Sequence, residues 1–258
     1  MPSIHPTAIV DPKAQLAADV EVGPYALVGP DVKLAEGVCI ESHAVVKGHT
    51  SIGPRSKVYS FACIGGPPQD KGFAGEDTQL IVGQDTVLRE HVTVHTGTPG
   101  GGGCTRIGDD NLIMNSAHVA HDCQVGSHCI IASYVGLAGH VTVEDYAVLG
   151  AYVGVHQFNR IGESVMAAAN AKIVQDAPPF SLVAGDRARI AGINSVGLRR
   201  RNFSPEVRKA LKHAYHILFQ SKLMQEPAFA KVREEVGDCP QVAQLLKFLE
   251  TCERGYCR

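Results

Sequence analysis

The sequence lacks tryptophan, is only 6% aromatic and has no run of about 18 apolar residues, so no membrane-spanning helix is predicted. The N-terminal residues lack the basic and apolar regions of a secretion signal. A net charge of -2 argues against a chain-wide electrostatic role in nucleic-acid binding. None of the eight cysteines belongs to a CxxC pair. Four of them, Cys39, Cys63, Cys123 and Cys129, fall at inward or adjoining positions of a six-residue aliphatic repeat, where cysteine acts as a small apolar filler. From this placement we predict reduced, buried thiols and a cytoplasmic protein.

An aliphatic residue returns at every sixth position through two long segments. The first runs from Ile4 to Ile64 and the second from Ile107 to Ile173. A period of six fits neither a helix, with about 3.6 residues per turn, nor a simple strand alternation. It is typical of hexapeptide β-helices, in which short strands wind into a prism. With three strands and about 18 residues per turn, residues 18 apart should stack on one face.

The repeat is interrupted twice. Between positions 64 and 82 the pattern lapses, and we predict a loop of the kind that often carries binding residues. Between positions 94 and 107 the pattern shifts by one residue. The run of four glycines at 100–103 predicts a flexible loop there.

From Ser204 onward the six-residue repeat gives way to helical spacing. Ser204 followed by Pro205 is a good helix start, and apolar residues then recur every three or four positions. Two further helices are predicted over 227–236 and 240–252. The predicted class is mainly β. The predicted domains are a β-helix over 1–190 and an α-helical domain over 191–258.

Four histidines in the second segment depart from its apolar pattern, namely His118, His121, His140 and His156. His121 precedes Asp122, a carboxylate able to orient an imidazole and stabilise its protonated form. His121 and His140 are about one turn apart, so we expect them to be neighbours, with His156 close to the next turn. Isolated surface histidines are the alternative, but clustering on stacked turns favours a site.

Two other groups of residues leave their function open. His121, Cys123, His128 and Cys129 could suit a metal ion, but both cysteines fall at inward positions, so we predict no metal. A set of arginines lies between the prism and the helices. It is either a solvent-exposed basic face or a binding site for phosphate or for an acidic partner. The set comprises Arg187, Arg189, Arg199, Arg200 and Arg201.

The segments QDKGFAGE, NSAHVAHDC, LAGHVTVEDYAVLG, VHQF and NSVGLRRRNF, with the hexads and the helical tail, closely resemble the acyl-carrier-protein–UDP-N-acetylglucosamine O-acyltransferase family. The resemblance covers nearly the whole chain. It implies a left-handed parallel β-helix, against the usual right-handed crossover, assembled as a homotrimer with sites between subunits. It also implies the first step of lipid A, and so lipopolysaccharide, biosynthesis. In that step a 3-hydroxyacyl group passes from acyl carrier protein to UDP-N-acetylglucosamine without a cofactor.

The resemblance also implies residue roles. His121 would be the general base for the sugar 3-hydroxyl, Asp122 would hold its imidazole, and the Gly139 N–H would stabilise the oxyanion. Ala169 would lie where the family measures the length of the acyl tail. The other implied substrate-binding residues are Gln69, Asp70, His118, His140, His156, Gln157, Asn194, Arg200 and Arg201, with Asn194 and Arg200 at the uridine diphosphate.

Two positions depart from the family pattern. Gly72 stands where the family has a lysine, with Lys71 one place earlier, and Val196 replaces a glutamate. Both positions face the nucleotide sugar in the family, so a 3-amino acceptor and an amide product are an alternative hypothesis. The remaining alternatives are a sibling N-acyltransferase of the same pathway and a non-catalytic hexapeptide-repeat module.

Overall fold

The computed structural model describes all 258 residues. Most of the chain forms a three-sided prism of short, mostly parallel strands, each side being one sheet. Sheet 1 contains Ser3–Ile4 (β1), Glu21–Val22 (β4), Cys39–Ile40 (β7), Lys57–Val58 (β10), Val87–Leu88 (β13), Leu112–Ile113 (β16), Ile130–Ile131 (β19), Val148–Leu149 (β22), Met166–Ala167 (β25), Ser181–Ala184 (β27) and Arg189–Ile193 (β28).

The other two sides are parallel throughout. Sheet 2 contains Ile9–Val10 (β2), Leu27–Val28 (β5), Val45–Val46 (β8), Cys63–Gly66 (β11), Thr93–His95 (β14), His118–Val119 (β17), Gly136–Leu137 (β20), Gly154–Val155 (β23) and Lys172–Ile173 (β26). Sheet 3 contains Gln15–Leu16 (β3), Lys33–Leu34 (β6), His49–Ile52 (β9), Gln79–Val82 (β12), Cys104–Ile107 (β15), Gln124–Val125 (β18), Thr142–Val143 (β21) and Arg160–Ile161 (β24).

The strand register confirms the predicted turn of 18 residues. Ser3 of β1 pairs with Glu21 of β4, so one full turn separates them. The offset grows to 30 residues between Lys57 and Val87, and to 25 between Thr93 and His118. The two predicted loops are therefore extra lengths of chain that leave the prism without disturbing the stacking.

The prism has three corners, which we number by the sheets they join. The first corner joins sheets 1 and 2, the second joins sheets 2 and 3, and the third joins sheets 3 and 1. At the second corner Asp122, His140 and Phe158 occupy equivalent turn positions, with left-handed φ angles of 61°, 62° and 65°. Both loops, residues 67–78 and 96–103, also leave the prism at this corner.

The prism interior is filled by the aliphatic ladder. The second residue of each two-residue strand points inward, as does the residue four places further on; Val119 and Cys123 are both fully buried. Forty-four buried residues form this one core. Small and branched aliphatic side chains fit so narrow an interior, and burying each one contributes about 1–3 kcal/mol. The apolar ladder thus fixes which side chains remain outside for chemistry.

The C-terminal helices are Ser195–Arg200 (α1), Pro205–Gln220 (α2), Gln225–Val236 (α3) and Pro240–Glu250 (α4), and Pro99–Gly101 forms a single 3₁₀ turn in the second loop. The predicted start of α2 is confirmed, since Ser204 Oγ accepts a hydrogen bond from the Val207 N–H at 3.3 Å. α3 begins two residues before the predicted position and α4 ends two residues early. α1 was not predicted.

The helices form a second core of fifteen buried residues and pack against the C-terminal end of the prism. The Arg160 guanidinium lies 4.2 Å from the centre of the Phe248 ring in α4. The C-terminal tail then returns, because the Cys257 N–H donates to the Asp176 carbonyl at 2.8 Å and the Cys257 side chain enters the prism core. No helix has the length and apolar character needed to cross a membrane.

Candidate active site

His121 and Asp122 form a partly enclosed hydrogen-bonded pair at the second corner. His121 Nδ1 lies 2.8 Å from Asp122 Oδ2, and the two side chains are 15% and 0% exposed. An ionised carboxylate can only accept hydrogen bonds, so Nδ1 carries the proton. In the neutral ring the other nitrogen, Nε2, keeps its lone pair. The pair therefore presents an oriented base.

Gly139 and His140 enclose the His121 ring from the next turn of the prism. A Cβ at Gly139 would lie 2.6 Å from His121 Cε1, closer than any real contact, so only glycine fits. The His140 ring meets the His121 ring edge-on at 5.1 Å and stacks on Phe158 at 4.4 Å. His140 Nε2 is 3.8 Å from the same Asp122 oxygen. The predicted proximity of His121 and His140 is confirmed.

Thr98, in the glycine-rich loop, is a partner of Asp122 that the sequence did not reveal. Its N–H and its hydroxyl donate to the two carboxylate oxygens at 2.8 and 2.6 Å. Burial acts to raise the pKa of Asp122, but the hydrogen bonds from Thr98 and His121 outweigh it and hold that pKa below its usual value. Asp122 therefore stays ionised at neutral pH.

His118 and His156 line a shallow groove on sheet 2 rather than the corner itself. Gly136 and Gly154 form its floor, and a Cβ at either would meet no atom within 4 Å. His118 Nδ1 shares a hydrogen bond of 2.8 Å with Thr93 Oγ1. Burial, with smaller contributions from neighbouring imidazoles, lowers the pKa of His118. The groove is thus lined by the neutral His118 imidazole, by His156 and Lys172, and by the glycine backbone.

His95 and Gln157 lie next to this groove. The His95 ring contacts the His118 ring at 5.2 Å, and His95 was not predicted because the second loop hides its register relative to His118. Gln157 is exposed on the turn after β23, and its carbonyl accepts a hydrogen bond from His156 Nδ1 at 3.1 Å.

Gln69 and Asp70 lie on the first loop, which leaves the prism at the corner occupied by His121. Both are exposed, and Asp70 Oδ1 accepts a hydrogen bond from the Gly72 N–H at 2.8 Å. Two histidines hold this loop against the prism. His95 Nδ1 donates to the Pro67 carbonyl near its start, and His49 Nδ1 lies 2.6 Å from Asp77 Oδ1 near its end.

The remaining predicted substrate residues lie at other corners of the same chain. Ala169 is exposed at the first corner. Near the third corner both ends of the Asn194 amide have a partner, because Oδ1 accepts from the Gly197 N–H and Nδ2 donates to the Ser164 carbonyl. Arg200 is exposed on α1.

Arg201 is tied to the prism. Its guanidinium donates to Glu163 and Ser164 and lies 3.6 Å from the centre of the Tyr146 ring. One chain thus brings together His121, Asp122, Gly139 and His140, but not the residues at the other two corners.

The cysteines considered as metal ligands point into the core. The Cys123 and Cys129 thiols donate to the Ala138 and Glu144 carbonyls, and burial raises the pKa of each to about 12. A thiol must lose its proton to bind metal, so these two are unsuitable ligands. His121, Asp122 and His140 each offer one possible ligand atom within 4.8 Å of the others, and His121 Nδ1 and Asp122 Oδ2 are also joined by a direct hydrogen bond. The absence of a metal stays a prediction.

Two family models match parts of the chain. Residues 104–139 match the bacterial transferase hexapeptide model of six repeats. Residues 176–257 match domain 2 of the UDP-N-acetylglucosamine O-acyltransferase model. The prism, its repeats and an imidazole–carboxylate pair at one corner define a hexapeptide-repeat acyltransferase.

Comparison with whole proteins narrows this class to one family. The acyl-[acyl-carrier-protein]–UDP-N-acetylglucosamine O-acyltransferase of a Janthinobacterium species is 50% identical over 262 residues, covering all of both chains. That of Thermodesulfovibrio yellowstonii is 44% identical, again over both whole chains. The chain belongs to the acyl-[acyl-carrier-protein]–UDP-N-acetylglucosamine O-acyltransferase family.

Solved structures agree with this assignment. The LpxA structure from Acinetobacter baumannii superimposes with a TM-score of 0.95 at 39% identity, covering 99% of each chain. LpxA from Bacteroides fragilis, a UDP-N-acetylglucosamine acyltransferase, gives 0.97 at 34% identity, covering 99% of this chain and all of the other. The predicted fold class, a left-handed parallel β-helix with C-terminal helices, is confirmed.

Proposed function

We propose that this chain transfers a 3-hydroxyacyl group from acyl carrier protein to the 3-hydroxyl of UDP-N-acetylglucosamine, the first step of lipid A biosynthesis, with His121 as general base. The observation that carries the proposal is the enclosed His121–Asp122 pair, which leaves one ring nitrogen free beside Gly139. The names of the 44–50% identical relatives give the donor and acceptor classes. We place the reaction in the cytoplasm.

The proposed reaction needs one base, used twice. His121 Nε2 takes the proton of the sugar 3-hydroxyl as its oxygen attacks the thioester carbonyl carbon. The carbon–sulfur bond then breaks, and the imidazolium returns the proton to the departing thiolate of the carrier. The products are an ester and a free thiol, with no acyl-enzyme and no cofactor. Asp122 stabilises the imidazolium between the two proton transfers.

The developing oxyanion needs a donor near the base. The Gly139 backbone is buried against the His121 ring, and its N–H donates no hydrogen bond within the chain. This N–H is therefore free to stabilise negative charge on the thioester oxygen. One such donor contributes roughly 10²–10³-fold to rate in other acyl-transfer enzymes.

A homotrimer with sites between subunits accounts for the scattered substrate residues. His121, Ala169 and Asn194 belong to three different corners of one prism, so one chain cannot offer them to one ligand. Packing the second corner of one copy against another corner of its neighbour would complete the site. Light scattering should give three times the chain mass of 27.5 kDa.

We assign the exposed Arg200 to the uridine diphosphate or to the acidic carrier protein. Arg200 carries an unshared guanidinium, whereas Arg201 is already neutralised by Glu163. Asn194 and Arg201 already hold partners within the chain, so only their remaining N–H groups are free to donate to a nucleotide. The first loop would supply Gln69 and Asp70 to the sugar.

The test of the base is His121→Ala, with His128→Ala as matched control. Both histidines bond a carboxylate at 2.8 Å, but only His121 lies in the enclosed corner. Because general acid–base catalysis contributes about 10²–10⁴-fold, His121→Ala should retain under a tenth of wild-type activity with the assembly intact. The control should stay within about twofold of wild type. A His121→Ala enzyme that retains more than a tenth of wild-type activity would contradict the role of His121 as general base.

A 3-amino UDP-sugar is the second candidate acceptor. The positions that the family fills with lysine and glutamate are Gly72 and Val196, both exposed and neither able to bond a hydroxyl through its side chain. Turnover of the 3-hydroxy and 3-amino acceptors, compared at equal concentration, decides between ester and amide formation.

A metal-dependent or purely structural prism is tested by measuring the zinc content of the purified protein. We expect less than one zinc ion per chain and no loss of activity after chelation.

A further inference from the structure

The glycine-rich loop at 96–103 folds back over the second corner and closes on one carboxylate. The Thr98 N–H donates to Asp122 Oδ1 at 2.8 Å, and the Thr98 hydroxyl donates to Oδ2 at 2.6 Å. Thr98 is 7% exposed and the Asp122 side chain is fully buried. Two donors from one residue therefore fix both oxygens of this carboxylate.

The glycines of the loop permit this approach, and they are not equivalent. A Cβ at Gly101 would lie 2.0 Å from Asp122 Cγ, and one at Gly97 would lie 2.8 Å from Oδ1. At Gly100 a Cβ would meet no atom within 4 Å, and its φ angle is an ordinary one. The loop backbone is thus pressed against the carboxylate at 97 and 101 but not at 100.

The Thr98 hydroxyl and the His121 imidazole share a single acceptor atom, Asp122 Oδ2. A donor on this oxygen limits how strongly the oxygen can attract the imidazole proton and also holds the carboxylate plane in place. The geometry of the base therefore depends on a residue that does not touch it.

We propose that Thr98 is a positioning residue for acyl transfer, holding the Asp122 carboxylate so that His121 keeps its Nδ1 proton and presents Nε2 to the acceptor. The proposal rests on the proposed role of His121 as base.

Several other titratable groups face this pair. His140 Nε2 is too far from Oδ2, at 3.8 Å, to replace the Thr98 hydroxyl as a donor. The Cys123 thiol already donates to the Ala138 carbonyl. The remaining neighbours are His118 on sheet 2 and the Cys104 thiol, which donates to the Thr105 carbonyl. None of these titratable groups is therefore positioned to take the place of the Thr98 hydroxyl.

The test is Thr98→Val, which removes the hydroxyl but keeps the side-chain volume and the backbone donor. We expect kcat to fall roughly tenfold, a part of the 10²–10⁴-fold that a general base supplies, with KM nearly unchanged. The acid limb of the pH profile of kcat/KM should move to higher pH, because a carboxylate with one donor fewer binds the imidazolium proton more tightly. Thr98→Ser keeps a hydroxyl, so it should show the wild-type kcat and the wild-type acid limb of the pH profile.

A pair of glycine substitutions tests the same loop independently. Gly101→Ala should lower kcat, because its Cβ must displace either the loop or the Asp122 carboxylate, whereas Gly100→Ala should leave kcat unchanged. Thermal unfolding of each variant checks that the protein remains folded. If Thr98→Val does not fold, the Gly101 and Gly100 variants decide the question, and equal activity in the two overturns the proposal.

Failure here is distinguishable from failure of the base assignment. A Thr98→Val enzyme with a wild-type rate and pH profile, beside an inactive His121→Ala enzyme, removes Thr98 from the mechanism and leaves the base in place. A lower rate with an unmoved acid limb also counts against positioning, since it indicates a structural role alone. An active His121→Ala enzyme overturns both.

Discussion

Two His–Asp pairs occupy two corners of the same prism with the same bond length. His121 Nδ1 to Asp122 Oδ2 and His128 Nδ1 to Asp110 Oδ2 both measure 2.8 Å. The first pair is 15% and 0% exposed and the second 41% and 66%. Water competes for the second pair and screens it, whereas the first pair keeps its orientation. The hydrogen-bond distance alone therefore does not identify a catalytic pair.

The two His–Asp pairs also differ in the residues that contact them. Asp122 receives two further donors from Thr98. His128 instead stacks on the Tyr146 ring at 4.6 Å, and the other partner of that ring is the Arg201 guanidinium. The second corner thus orients the His121 imidazole, while the third corner holds a stack of side chains that joins the prism to the end of α1.

The largest expected difference between the corners is in activity. Asp122→Asn should lower kcat at least about 10²-fold, because a neutral amide cannot stabilise the imidazolium and can present an N–H to His121 instead of an acceptor. Asp110→Asn, the matched change at the exposed pair, should stay within about twofold of wild type. Steady-state rates of the two variants measure this, and equal loss in both would mean that the corners are equivalent.

A smaller difference is expected in acid stability. The pKa of folded Asp122 lies below its usual value of about 3.9, so its carboxylate stabilises the folded state above that pH. This stability should be lost as the pH falls through the folded pKa. Denaturant unfolding from about pH 6 to pH 2 should show a weaker pH dependence for Asp122→Asn than for wild type. If Asp122→Asn shows the same dependence of unfolding free energy on pH as wild type, Asp122 does not contribute to acid stability.

The smallest expected effect concerns the third corner. Tyr146→Ala removes the ring between His128 and Arg201 and should cost about 1–2 kcal/mol of unfolding free energy while leaving kcat nearly unchanged. His128→Ala removes only a half-exposed pair and should cost no more than about 1 kcal/mol. Urea unfolding with parallel rate measurements makes the comparison. A tenfold loss of kcat in Tyr146→Ala would mean that Tyr146 takes part in the reaction and not only in the stack.

The repeat made the prism predictable. An aliphatic residue at every sixth position fixes the inward face of each strand, and the 18-residue turn then brings His121 beside His140, as observed. The same reasoning correctly turned Cys123 and Cys129 away from the site. Periodicity works here because each turn contacts only its neighbours, so local spacing determines the stacking.

What the sequence did not reveal lies where the repeat breaks. Thr98 reaches Asp122 only because the second loop folds back, and no spacing rule gives the path of an insertion. The glycines at 100–103 were predicted to make the loop flexible, whereas Gly101 allows close contact with a carboxylate. α1 is only six residues long and is capped by Asn194, too short for helical periodicity to indicate it. The domain boundary at 190 stays a prediction.

The returning C-terminal tail has a consequence for how the helical subdomain can move. The helical subdomain leaves the prism through β28 and rejoins it through the backbone bond between Cys257 and Asp176. A body tethered at both ends cannot swing open about a single hinge without breaking one attachment. A bulky fusion placed directly after Arg258 would therefore strain the hydrogen bond between Cys257 and Asp176 and weaken this second attachment.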